Sequence, residues 1–153
     1  HFFKTGQVAD KLGFVKSGIL RSYFLEASGK EITLQFYKPG TVVISPESFN
    51  HSVPVKESIM AYEESELITI TADKLRRLYK KVPLWQQICK DVSDIKNTRL
   101  QERNRQFQTQ AASERYMKFC QEYPEISQYV PLGHIASYLG MDIATLSRLR
   151  SKR

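Results

Sequence analysis

The sequence predicts an α+β protein in which an N-terminal antiparallel β-roll of the jelly-roll type is followed by a long helix and a C-terminal helix-turn-helix. The first observation behind this is a series of short runs rich in β-branched and aromatic residues, separated by turn signals. The second is a polar-rich stretch between Pro83 and Pro124 that contains neither glycine nor proline. The third is a set of small and apolar residues near the C-terminus, spaced as in two short crossed helices.

Candidate strands occupy most of the first half of the chain. They are expected at 14–15, 19–25, 31–37, 41–44, 53–62 and 67–70, with breaks at 16–18, 28–30 and 39–40. In the third run Ile32, Leu34 and Phe36 alternate with the residues between them, which predicts a strand that buries one face. We assign residues 1–82 to the roll and expect it to be N-terminally incomplete, because the chain begins at His1 without a methionine.

A long helix is expected at 83–108, after a short helix at 74–81. Its apolar stripe consists of Trp85, Ile88, Val92, Ile95, Leu100 and Phe107. The first four lie three, four and three residues apart, as in a coiled-coil seam, and the last two continue it out of register. A narrow stripe of this kind predicts a partner helix, so we expect a homodimer with the stripe at its interface. The alternative is that the stripe packs on the chain's own β-roll.

The most specific pattern lies in the third region, 109–153, after a hinge at 108–110 and a further helix at 111–122. Two short helices that cross steeply need a small residue at their contact, a turn residue that tolerates positive φ, and apolar residues on the buried faces. Ala136 supplies the small contact, Gly140 the turn, and Leu146 the anchor of the second helix. The predicted scaffold is Ile135, Ala136, Leu139, Gly140, Met141, Leu146 and Leu149.

Outward positions of this motif carry chemistry suited to DNA, because the second helix of such a unit enters the major groove. The predicted DNA-facing residues are Asp142, Ile143, Ala144, Thr145, Ser147, Arg148, Arg150, Ser151 and Lys152. Arg148 can donate to guanine O6 and N7, although an arginine here can equally contact phosphate. His134 is expected on the first helix, facing a phosphate. The formal charge of +7 also favours an acidic partner such as nucleic acid.

Several classes of function are not supported by the sequence. The 2 cysteines, Cys89 and Cys120, lack a C-x-x-C spacing, and the 3 histidines are isolated from one another, so no metal and no cofactor are expected. An enzyme is not expected either: no nucleophile, base and acid come together, and a cupin-type roll would need clustered His and Glu ligands. No apolar run approaches the roughly 18 residues of a membrane span, so we expect a cytoplasmic protein without a membrane partner.

With these residues identified, the chain resembles the Crp/Fnr family of bacterial regulators. The resemblance rests on FVKSGILR at 14–21, the turn KPG at 38–40, the long helix, IASYLG at 135–140 and TLSR at 145–148. It implies a cyclic-nucleotide-binding-like roll, a dimerisation helix and a winged helix-turn-helix. It also implies a homodimeric transcription regulator that binds a palindromic site in double-stranded DNA and contacts RNA polymerase. The wing is not accounted for, because the sequence stops at Arg153.

Two departures from the family pattern matter. Relatives that bind cyclic AMP carry Gly-Glu and then an arginine followed by a small residue and alanine, where this chain has ISPESF at 44–49 and VKESI at 55–59. The degenerate region comprises Ser45, Glu47, Lys56, Glu57 and Ser58. A buried phosphate without its arginine is poorly compensated and Glu57 would repel it, so no response to cyclic AMP is expected and any effector is unknown.

The second departure lies in the recognition helix. The family often places Arg and Glu before the threonine, whereas Ile143 and Ala144 stand here. These side chains can touch thymine methyl groups but cannot donate to guanine. A different function therefore stays open beside DNA reading: a ligand-binding or protein-interaction module whose helix-turn-helix is degenerate.

Overall fold

The computed structural model describes residues 1–151, so Lys152 and Arg153 lie outside the described residues. The first part of the chain forms β1 (Lys11–Ser17), β2 (Leu20–Leu25), β3 (Glu31–Tyr37), β4 (Val42–Val43), α1 (Pro46–His51), β5 (Ser58–Ala61) and β6 (Glu66–Thr71). The second part is helical, with α2 (Ala72–Lys81), α3 (Leu84–Thr109), α4 (Ala112–Glu122), α5 (Pro124–Tyr129), α6 (Leu132–Leu139) and α7 (Ile143–Ser151). This order confirms the predicted α+β class with an antiparallel roll, a long helix and C-terminal helices.

The roll consists of two antiparallel sheets that share a buried interior. One has the strand order β4-β1-β6 and the other β3-β2-β5. Apolar side chains from both sheets meet between them, including Val15 of β1, Leu20 of β2, Val43 of β4 and Ile59 of β5. Burying these side chains together is the main source of stability of the roll.

Three details of the roll differ from the expectations. The run at 53–62 yields only β5, and α1 was not predicted, although Pro46 at its first turn is a common helix start. The expected alternation in β3 is wrong: Thr33, Phe36 and Tyr37 are buried, while Leu34 is half-buried. A register shift in the neighbouring β2 and the packing of α6 on β3 explain this, because the strand is covered on both faces.

The long helix α3 is exposed along most of its length, and its C-terminal half contacts β3, α4 and α6. It has 26 residues, which corresponds to about 39 Å, and none of its residues is buried. Side chains of the predicted stripe are between 38% and 56% exposed. The chain's own roll therefore does not cover the stripe, contrary to the alternative stated above.

Helices α4 to α7 share a core with the roll and do not form a separate body. Ile19 and Phe36 of the roll belong to the same buried cluster as Phe119, Ile135 and Leu146. Helix α5 was not predicted. It begins at Pro124, and proline is common at the first position of a helix. Among the described residues, no helix combines the length and the apolar character needed to cross a membrane.

Candidate nucleic-acid interface

The turn between α6 and α7 depends on Gly140. Its backbone lies in the left-handed region, with φ of 61°, which residues with a side chain rarely adopt. A Cβ atom at this position would come within 2.7 Å of Cε1 of Phe107 on α3. Glycine is therefore required twice, once for the backbone and once for the close approach of the long helix.

The residues predicted to form the scaffold lie on α6, on α7 and in the turn between them. Ile135, Ala136, Leu139 and Leu146 are buried, and Met141 and Leu149 pack partly buried against the same cluster. Together with the turn at Gly140 they place α7 against α6, with one face of α7 directed outward. The two helices thus form the predicted helix-turn-helix geometry.

Asp142 caps the N-terminus of α7. Its Oδ1 accepts from the Thr145 backbone N at 2.7 Å, and its Oδ2 accepts from Thr145 Oγ1 at 2.8 Å. The hydrogen bond from the Thr145 backbone holds the pKa of this carboxyl below its usual range. Both oxygens are therefore engaged in starting the helix, as is usual for aspartate at this position.

Arg148 lies on the same face of α7, one turn further on. Its Nη2 donates to Thr145 Oγ1 at 3.3 Å, so Asp142, Thr145 and Arg148 form a row along the exposed surface. The remaining guanidinium nitrogens of Arg148 have room for another acceptor, because the residue is exposed. This row is the part of α7 best suited to meet a base edge or a phosphate.

Most residues predicted to face DNA are exposed. These are Asp142, Ile143, Ala144, Ser147, Arg148, Arg150 and Ser151. Thr145 is half-buried, and the Ser151 hydroxyl donates to the Arg148 carbonyl at 3.1 Å within the helix. Lys152 lies outside the described residues.

The prediction that His134 faces a phosphate is wrong, because its ring points to the roll. Its Nδ1 lies 2.8 Å from Tyr62 Oη, and its Nε2 lies 3.7 Å from Glu31 Oε2. Burial and the nearby Arg21 guanidinium lower the pKa of the imidazole, while Glu31 raises it. Arg21 and Glu31 were not identified from the sequence as neighbours of His134, because these residues are far apart in the chain and no local spacing pattern relates them.

A second candidate site is a cavity of about 320 Å³ in the roll. Its wall is formed by Phe24, Leu34, Ser45, Pro46, Glu47, Ser48, Pro54, Val55, Lys56 and Glu57. Of the degenerate region only Ser58 is missing from this wall, and its hydroxyl is bonded to Thr5 at 3.1 Å. The structure thus brings the other members of that region together around one space.

The charges around the cavity fit an anion poorly. Lys56 is the lone cation in the wall formed by the described residues, and its Nζ lies 3.8 Å from the Glu47 carboxylate. Burial raises the pKa of Glu57, and Lys96 of α3 opposes that shift. Two carboxyl groups and an exposed lysine give little compensation for a buried phosphate. Elsewhere within residues 1–151, no group of His, Cys, Asp and Glu is arranged to hold a metal ion.

Comparison with known proteins places this architecture in a family. Residues 1–82 match the family model of the cyclic nucleotide-binding domain. The chain is also 30% identical, over 158 aligned positions, to an anaerobic regulatory protein of Pasteurella multocida strain Pm70. The chain belongs to the Crp/Fnr family. This Crp/Fnr chain spans 57% of the length of that relative, and the alignment covers 96% of the chain itself.

Solved structures share the fold of this Crp/Fnr chain at low sequence identity. FixK2 from Bradyrhizobium japonicum superposes with a TM-score of 0.81 at 17% identity, covering 98% of this chain and 77% of FixK2. A transcriptional regulator of the Crp/Fnr family from Eubacterium rectale gives a TM-score of 0.68 at 20% identity, covering 97% of this chain and 71% of that protein. The roll, the long helix and the C-terminal helices therefore follow one arrangement over nearly the whole chain.

Proposed function

We propose that this chain is a sequence-specific DNA-binding transcription regulator of the Crp/Fnr type, acting as a homodimer that does not respond to cyclic AMP. The observation that carries the proposal is the separation of buried apolar residues from exposed polar residues in the helix-turn-helix. Its scaffold residues Ile135, Ala136, Leu139 and Leu146 are buried, while most polar and basic residues of α7 are exposed. An exposed helix face with an arginine and hydroxyl groups suits the major groove.

Dimerisation through α3 supports reading of a palindromic site. The stripe of Trp85, Ile88, Val92 and Ile95 is exposed along the helix and has coiled-coil spacing, so a second copy of the chain is the occupant that fits it. A twofold dimer presents two recognition helices about one DNA turn apart, roughly 34 Å. We assign residues 83–108 to this dimerisation function, residues 1–82 to the sensor and residues 109–153 to DNA reading.

Family membership supports double-stranded DNA and RNA polymerase as partners in the bacterial cytoplasm. A non-enzymatic role agrees with the regulatory name of the curated relative. The sensor cavity, with its two carboxyl groups and exposed Lys56, favours independence from cyclic AMP.

Selection of bound sequences from a randomised duplex library tests this proposal. We expect a palindromic winner whose affinity falls steeply with salt, because phosphate contacts release counterions. Arg148→Ala is expected to weaken binding to the winner by about tenfold or more. The matched control is Arg76→Ala, which removes the same charge from exposed α2 and should leave the affinity nearly unchanged.

Failure to enrich any sequence over random duplex would contradict DNA reading. The chain would then be better described as a ligand-binding or protein-interaction module, and the roll cavity would be its candidate site.

A further inference from the structure

A polar cluster joins the roll to the first helix of the helix-turn-helix. We define this interdomain cluster as Arg21, Glu31, Tyr62 and His134. Arg21 is fully buried and forms an ion pair with Glu31. Glu31 in turn faces His134 Nε2 at 3.7 Å, and Tyr62 Oη lies 2.8 Å from His134 Nδ1. The ring of this α6 residue thus has a hydrogen-bond partner on the roll at Nδ1, and a carboxylate of the roll lies near its Nε2.

Contacts made by Thr33 of β3 and Arg103 of α3 also hold the same helix. The Thr33 backbone N of β3 donates to Ser137 Oγ at 2.9 Å, so a strand amide takes a side chain of α6 as its acceptor. Arg103 of α3 donates to the carbonyl oxygens of Leu34 on β3 and Tyr138 on α6, the latter at 2.9 Å. Its guanidinium also stacks over the Tyr138 ring at 4.1 Å. Helix α6 is therefore held from the roll and from the long helix at once.

These contacts involve side chains and a carbonyl of α6 and none of α7. Asp142, which caps α7, and Arg148 stay exposed while α6 is fastened. The covalent link between α3 and α4 is the extended pair Gln110 and Ala111, so packing against the roll and α3 sets the direction of α7; the polar contacts add directional restraints to the shared apolar core. The docked arrangement thus fixes the direction of α7 relative to α3 without covering it.

We propose that Glu31, His134 and Ser137 are positioning residues that set the separation of the two recognition helices, and so make the dimer selective for the spacing between half-sites. The inference rests on the proposed function, since it requires a dimer that reads a palindrome. A rigid pair of reading units fits one spacing well, whereas units that swing on a hinge lose preorganisation and tolerate several spacings.

The test measures the affinity of the dimer for a panel of duplexes carrying the selected half-sites at different spacings, and for a single half-site. We expect the unaltered protein to prefer one spacing. Ser137→Ala, Glu31→Gln and His134→Phe should each reduce that preference by about fivefold or more, at the lower end of typical coupling between sites. Binding of a single half-site should stay unchanged, because α7 itself is not altered.

A control variant and a local measurement accompany the test. Tyr129→Phe alters an exposed side chain of α5 in the same unit and should keep the preference intact. Amide hydrogen exchange at Thr33 should accelerate in Ser137→Ala, because the acceptor of that N–H is removed. A Thr33 amide that exchanges at the same rate in both proteins would show that α6 is not docked as described.

The outcomes separate the two proposals. Absence of binding to every duplex, the single half-site included, overturns the proposed function and the positioning role with it. Intact binding with an unchanged spacing preference in all three variants overturns the positioning role alone. Tighter binding by the variants at the preferred spacing also overturns it, since the interface would then restrain DNA reading.

Discussion

At the scale of single residues, the helix-turn-helix divides into positions that sequence spacing identifies and positions that it does not. Ala136, Gly140 and Leu146 follow from their separation alone, because the crossing of two helices imposes it. The direction of His134 does not follow, since Tyr62 lies 72 positions away in the chain. Local periodicity predicts the helix face on which a side chain lies, but it does not predict which distant residue that side chain contacts.

His134 provides a pH-dependent contribution to stability. Burial first, and then Arg21, lower the pKa of its ring in the folded chain, while Glu31 opposes them and the Tyr62 hydroxyl contacts Nδ1. The unfolded chain, with the ordinary value of 6.5, therefore takes up more protons as the pH falls below that value. Stability from this group is present above about pH 6.5 and declines below it.

Chemical denaturation at pH 7.5 and pH 5.5 measures this effect. The unaltered protein should lose more stability on acidification than His134→Gln, which cannot titrate there. All other titrating groups are common to both proteins, so equal losses would contradict the assignment.

Gly140 is expected to tolerate no side chain. Gly140→Ala should destabilise the protein by about 1–2 kcal/mol through its left-handed backbone, with a further loss from the contact of the new Cβ with Phe107. Denaturant unfolding measures the change. In the background of Phe107→Ala the same substitution should cost less, because only the backbone component remains. An equal loss of unfolding free energy in both backgrounds would show that the Phe107 contact does not contribute to the effect.

At the scale of elements, the regular part of the apolar stripe on α3 and its irregular end have different surroundings. The regular spacing from Trp85 to Ile95 marks the exposed stripe, and the shift out of register toward Phe107 marks a change of partner. Phe107 was predicted at the dimer interface, yet its ring lies against Gly140, and the guanidinium groups of Arg103 and Arg115 lie over it at 5.3 Å and 5.5 Å. Its assignment to the interface stays a prediction, beside the contact that it makes within its own chain.

A charge in the middle of the stripe should separate the proposed dimer. Val92→Asp is expected to shift the molar mass measured by light scattering at micromolar concentration from two copies toward one, because the carboxylate would be buried in the seam. Ser93→Asp adds the same charge at the neighbouring exposed position and should leave the mass at two copies. Equal masses for both variants would argue against this seam.

At the scale of the whole molecule, the order of the three regions follows from sequence, but their shared core does not. Periodicity predicts one buried face for a strand, while β3 is covered by the roll on one side and by α6 on the other. The Phe36 ring packs in a tilted arrangement against Tyr138, at a centroid distance of 5.1 Å, and against Phe119, at 6.0 Å, which joins the roll to the C-terminal helices. Such contacts depend on how distant elements meet, so their residues resemble ordinary core residues in the sequence.

The roll cavity yields a prediction at this scale too. A ligand that binds only the folded state raises the thermal midpoint in proportion to the logarithm of its concentration over Kd. Cyclic AMP at millimolar concentration should leave the midpoint of this protein unchanged, because the cavity wall offers an exposed Lys56 against Glu47 and Glu57. A clear upward shift with cyclic AMP, absent with AMP, would contradict this expectation.

The shared core has a consequence for chimeric regulators. Because residues such as Ile143, Ala144 and Ser147 of α7 are exposed, the proposed function predicts that exchanging them changes the DNA sequence bound while the rest of the protein stays the same. Helix α6 is different, because His134 and Ser137 are matched to this particular roll. Transplanting the whole reading unit onto a foreign sensor would leave those groups without their acceptors and donors. Under the proposed function, a new DNA sequence specificity is therefore best introduced by exchanging a few exposed side chains of α7, and not by transferring the whole helix-turn-helix.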